Sequence, residues 1–165
     1  MSTEASHDMV RASHEVLAVH SRSFSWASAF LPAGRRDDAA VVYAMCRLID
    51  DIADEATDEH RARIQLDMLR EELAGTVDPR PLVREFLDVA KRRDIDIDYT
   101  DQLIEGVLGD LGSVVYETDR ELLRYCYRVA GTVGLLMCGV LGVEDPEALN
   151  FAVACWTGKA PESRQ

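Results

Sequence analysis

Lysine is almost missing from this chain of 165 residues: only Lys91 and Lys159 occur, beside sixteen arginines. Thirty acidic residues outweigh all eighteen basic ones, for a formal net charge of -12. Binding to phosphate backbones or anionic lipid surfaces depends on Lys and Arg that neutralise phosphates. The balance therefore argues against nucleic acid as a partner and against electrostatic docking to a membrane. An acid-rich, Lys-poor surface is also that of cytoplasmic proteins from salt-loving microbes, and a halophilic source is the expectation. Cysteine is sparse and unpaired in pattern. Cys46, Cys126, Cys138 and Cys155 form no C-x-x-C motif, so free thiols, mostly buried, are expected rather than a disulfide frame or a zinc site. His7, His14, His20 and His60 lack metal-ligand spacing. No apolar segment of a secretory signal follows Met1, and a cytoplasmic, reducing location is the default. Long hydrophobic runs are missing too. The longest, residues 129–143, is interrupted by Gly131, Gly134, Gly139 and Gly142. It falls short of the ~20 apolar residues that a membrane span needs and reads as a buried helix.

Strand-like alternation, internal repeats and linkers are also lacking; helical periodicity dominates. A first helix is expected over residues 8–21, then a break at Leu31, Pro32 and Gly34. A second helix is expected from about residue 36 to 54, with Asp37 and Asp38 in its first turn, where the helix dipole favours them. Thr57 or Asp58 can cap a third, over residues 59–74, which Gly75 ends. A fourth spans residues 80–92 with Pro81 in its first turn. Thr100 or Asp101 caps a fifth, to residue 111. Thr118 and Glu121 have capping-box spacing and open a sixth, which carries the glycine-rich run. Asp145 and Pro146 open a seventh, which fades after Trp156. The expectation is an all-α helical bundle over residues 1–156 and a polar tail over 157–165.

One stripe of the second helix holds chemistry. Tyr43, Arg47, Asp50, Asp51 and Asp54 recur at near-helical spacing, while Val42, Met45, Cys46 and Ile49 offer a packing face. Carboxylates at Asp50 and Asp54, four residues apart, converge in space. Mg²⁺ takes oxygen ligands, commonly one or two carboxylates plus substrate phosphates. Arg47, one turn earlier, can bind the same phosphate oxygens in a fork. Spacing alone is weak evidence, because the same interval recurs at Asp54/Asp58 and Asp94/Asp98; a solvated acidic face explains it equally. Two further segments stand out. In Tyr125-Cys-Tyr-Arg-Val-Ala-Gly-Thr-Val-Gly134, the small residues suit either tight helix packing or a groove wall. In His20-Ser-Arg-Ser-Phe24, the hydroxyls and Arg22 suit either phosphate binding or a polar turn.

In order, these segments resemble the signatures of squalene, dehydrosqualene and phytoene synthases. The likeness covers about residues 13–154. It implies a bundle of the isoprenoid-synthase type that joins two prenyl diphosphates head to head with Mg²⁺. By that resemblance Asp50, Asp51 and Asp54 bind the metal and the diphosphate. Ser21, Ser23, Phe24 and Arg47 line the diphosphate site, and Tyr43 faces the reacting carbons. Tyr125, Val129, Ala130, Val133 and Gly134 line the prenyl chain. Phytoene from geranylgeranyl diphosphate, feeding carotenoid synthesis, is favoured; squalene formation would need NADPH. An apolar product allows transient membrane contact. The family's second aspartate-rich motif is expected just after Ala154, but Cys155-Trp-Thr-Gly-Lys-Ala-Pro-Glu-Ser-Arg-Gln165 holds no acidic pair. The expectation is a product truncated or shifted in frame near residue 155, with an incomplete bundle and impaired catalysis. The alternatives are a non-catalytic assembly protein derived from the same family, or an unrelated acidic bundle.

Overall fold

The computed structural model describes residues 3–21, 28–112 and 115–157. Among these, eight α-helices and one π-helical turn occur and no strand. They are α1 (Thr3–His20), α2 (Ala33–Asp54), α3 (Glu59–Leu73), α4 (Pro81–Arg93), α5 (Asp98–Gly109), α6 (Asp119–Cys126), the π turn (Tyr127–Gly131), α7 (Thr132–Leu141) and α8 (Pro146–Thr157).

Local chemistry sets several boundaries as expected. The Asp58 carboxylate accepts from Arg61 N at 2.9 Å and caps α3. Thr118 and Glu121 form a reciprocal capping box at the start of α6. Pro81 occupies the first turn of α4, where its missing N–H breaks no helical bond. Gly75 and Gly142 end α3 and α7 in the left-handed region, at φ 71° and 72°.

Three boundaries differ from the sequence reading. Helix α1 begins five residues earlier than expected, at Thr3. Helix α2 begins at Ala33, directly after Pro32, and runs through Gly34. Asp37 and Asp38 therefore fall in its second turn and do not complement its dipole. Asp37 meets His14 at 2.7 Å, and Asp38 turns inward to Arg92 and Arg93. Helix α5 begins at Asp98 with no side-chain cap, and the Thr100 hydroxyl is buried without a partner among the described residues. The expected continuous sixth helix is two helices joined by the π turn, in which Thr132 N–H reaches back five residues to Tyr127 O.

Helix α2 is the central element: α1, α3, α4, α5 and α7 all pack on it. Its apolar face, Val42, Met45, Cys46 and Ile49, is buried as its spacing predicts. Phe86 of α4, Leu66 and Leu69 of α3, and Leu103 and Ile104 of α5 complete the core. Each such side chain contributes about 1.5–3 kcal/mol by leaving water. Cys46, Cys126 and Cys138 are free, and Cys46 and Cys138 are buried. Burial, reinforced by the nearby Asp50 charge, pushes the Cys46 thiol up to about 12, which makes it inert packing. No helix among the described residues is long and apolar enough to cross a membrane.

Candidate functional site

With one face of α2 committed to the core, its polar stripe faces a cleft of about 390 Å³. Arg47, Asp50 and Asp54 line this cleft from α2. Tyr125 of α6 and Val129 of the π turn also line it, with the apolar side chains of Ala62 and Val107. Asp58 and Glu59 at the start of α3, and Asp110 after α5, add carboxylates to the rim.

Asp50 is half-buried and Asp54 exposed. Burial raises the proton affinity of the Asp50 carboxyl above the usual range. Arg47 opposes that shift, while the charges of Asp54 and Asp51 add to it. Carboxylates that repel one another thus share a partly desolvated place, which a cation would relieve. Arg47 is paired with Asp51 at 2.5 Å, and its Nε is buried with no hydrogen-bond partner among the described residues. Among the described residues no three His, Cys, Asp or Glu are grouped so as to hold a metal ion by themselves. Asp50 and Asp54, one turn apart on α2, are the paired carboxylates the helix offers to the cleft. Two oxygens from protein with the remainder from water and phosphate is a habit of Mg²⁺.

The other expected site residues divide. Tyr43 lies one turn before Arg47 and is hydrogen-bonded to Ser21, so α2 brings these two positions together. Burial raises the Tyr43 hydroxyl above its ordinary value, although Arg47 and Ser21 oppose this. Asp51 does not line the cleft; it lines a neighbouring groove with Leu48, Ile52 and Glu55. Of the second motif, Tyr125 and Val129 reach the cleft. Val133 packs against the core, Gly134 is buried and Ala130 is half-buried, all away from the lining. Ser23 and Phe24 lie outside the described residues.

Asp110 was not legible in the sequence. Its Oδ2 accepts from the Tyr125 hydroxyl at 2.9 Å. Burial first, and then this bond, push the Tyr125 hydroxyl up to about 12. One carboxylate among thirty offers no signal of its own. The nearby Gly112, at φ 96°, was the available hint that the chain turns sharply here. A Cβ at Gly112 would run into the Glu59 carboxylate, so this turn sits against the start of α3.

The family profile of squalene/phytoene synthases matches residues 17–160. A 15-cis-phytoene synthase of Pantoea ananas is 36% identical over 150 residues, covering 84% of this chain and 48% of the relative. A 15-cis-phytoene synthase of Paracoccus sp. is 37% identical over 157 residues, covering 88% and 51%. A 4,4'-diapophytoene synthase of Staphylococcus haemolyticus is 36% identical over 133 residues, covering 78% and 46%. The chain thus spans about half the length of the curated relatives it matches. In structure it is similar to a dehydrosqualene synthase solved in complex with ligand. The TM-score is 0.81 at 24% identity, over 93% of this chain and 54% of that one.

Proposed function

We propose a function from one fact: this chain belongs to the squalene/phytoene synthase family. It takes part in joining two prenyl diphosphates head to head, with geranylgeranyl diphosphate the favoured substrate and phytoene the product. The relatives named as phytoene synthases support that choice. The observation that carries the reading is the cleft itself. Two carboxylates one helical turn apart share it with a half-buried guanidinium and apolar side chains.

Asp50 and Asp54 would hold Mg²⁺. When bound, the metal neutralises charge on a diphosphate and makes it a better leaving group. Arg47, which lines the same cleft, donates to the same phosphate oxygens. Val107, Val129 and Ala62 keep water from an allylic cation formed as the diphosphate departs. Tyr43, neutral at physiological pH, offers a phenol to the substrate one turn beyond Arg47. The substrate's prenyl tail runs past Tyr125 and Val129. The apolar product allows transient contact with a membrane from a cytoplasmic chain.

The test is binding and turnover of geranylgeranyl diphosphate, with farnesyl diphosphate alongside, in Mg²⁺ and then in excess chelator. Mg²⁺-dependent substrate binding is expected, with impaired turnover to hydrocarbon or cyclopropyl product and pyrophosphate. Asp50→Ala should abolish the metal dependence. A folded chain that binds neither substrate in Mg²⁺ would sink the reading.

A further inference from the structure

Asp51 belongs to the same acidic run as Asp50 and Asp54, yet it occupies different surroundings. It lines a groove of about 250 Å³ beside the cleft. Its Oδ1 forms an ion pair with Arg47 Nη2 at 2.5 Å, and the two side chains are 31% and 30% exposed, so neither swings freely in water. Arg47 lines the cleft, and its Nε is buried without an acceptor among the described residues. A guanidinium at the wall of a cleft suited to anions can donate to a ligand there only if its orientation is fixed.

Helix geometry explains the division of labour. Residues four apart stand one above the other, so Arg47 meets Asp51, and Asp50 shares a patch with Asp54. Asp51 is rotated from Asp50 by about 100° around the axis. We infer that Asp51 is a positioning residue for Arg47, holding Nη2 so that the guanidinium stays at the cleft where a diphosphate would bind, and that it is not a ligand of Mg²⁺. The inference rests on the diphosphate reading above. Arginine has many rotamers. A partner that fixes one of them lowers the ordering cost when the anion arrives.

Charge and positioning predict opposite signs, which makes the assignment testable. Asp51 is a negative charge near an anion site, so by Coulomb's law alone its removal would tighten anion binding. Positioning predicts that its removal weakens it. The probe is inorganic pyrophosphate, titrated by calorimetry into the chain in excess chelator and then in Mg²⁺. Asp51→Asn is expected to weaken binding in chelator by about three- to tenfold, the scale of one charge-assisted hydrogen bond. The factor by which Mg²⁺ strengthens binding should stay as in the unaltered chain, whereas Asp50→Asn should lose that factor. In an Arg47→Ala background, Asp51→Asn should change nothing more. Asp51→Glu should recover part of the loss.

Loss of the Mg²⁺ factor in Asp51→Asn would make Asp51 a metal ligand and overturn the assignment. Unchanged or tighter binding in chelator overturns it as well. So does a weakening that persists without Arg47, which would mark a general effect on folding. If the unaltered chain binds no pyrophosphate in either condition, the diphosphate reading itself falls and takes this one with it.

Discussion

Asp38 Oδ1 accepts from Arg92 Nη2 at 2.6 Å and Oδ2 from Arg93 Nε at 2.5 Å, with 3% of the Asp38 side chain exposed. Both oxygens are used, and the last turn of α4 is tied to α2. Burying a carboxylate is tolerable only when it is paired in this way. Asp38→Ala should lower stability by about 2–4 kcal/mol, because two guanidinium groups lose their acceptor. Asp37→Ala, at a neighbouring position whose side chain is 46% exposed, should cost less than about 0.5 kcal/mol. Chemical denaturation of both variants checks the contrast.

Glu72 poses a pH test at the same scale. Burial disfavours its charged form, but the Arg80 side chain, the Arg80 backbone N–H and the Arg80 charge together outweigh this and hold the carboxyl below its ordinary range. A carboxyl depressed on folding stabilises above its unfolded pKa and loses that contribution as pH falls through its folded value. At pH 7, Glu72→Gln should cost about 1–2 kcal/mol, since Arg80 remains partly solvated. Thermal melts at descending pH should show the two chains converging only below the ordinary carboxylate range.

At the scale of elements, the joint between α5 and the π turn decides the shape of the cleft. A Cβ at Gly106 would lie 2.8 Å from Arg128 Cβ and 2.9 Å from Val129 Cγ1. Gly106 is what lets α5 approach the turn that carries Val129 into the cleft. Gly106→Ala should destabilise by about 1–3 kcal/mol through overpacking and should weaken diphosphate binding with it. Gly109, one turn later, has nothing within 4 Å of such a Cβ. There, alanine should be neutral or stabilising by up to about 1 kcal/mol. Thermal unfolding of the pair separates packing from propensity. The caps at Asp58, Pro81 and Thr118 were legible because each involves residues within one turn. The π turn was not. Its sequence is helical in character, and the small residues noted there left open which neighbour comes close.

At the scale of the whole molecule, a net charge of -12 on 165 residues is a self-repulsion that salt can screen. Salt also screens ion pairs such as Arg70 with Asp101 and Glu105. Surface pairs are each worth at most about 1 kcal/mol, so the net repulsion should dominate. The melting temperature should rise from low salt to molar KCl. A fall would mean that the ion pairs win.

The amino-acid order by itself determined the all-helical class, most caps, the buried face of α2 and the stripe opposite it. These follow from periods and spacings within one helix, where a residue's neighbours are known from its number. It also carried the family signature. Tertiary structure alone decided which distant residues that stripe meets. It brought Asp50 and Asp54 into one cleft with Tyr125, Val129 and Asp110. Asp38 left the helix dipole for two arginines more than fifty positions away. Such partners lie far apart along the chain, and only the packing of separate helices around α2 sets the distance between them.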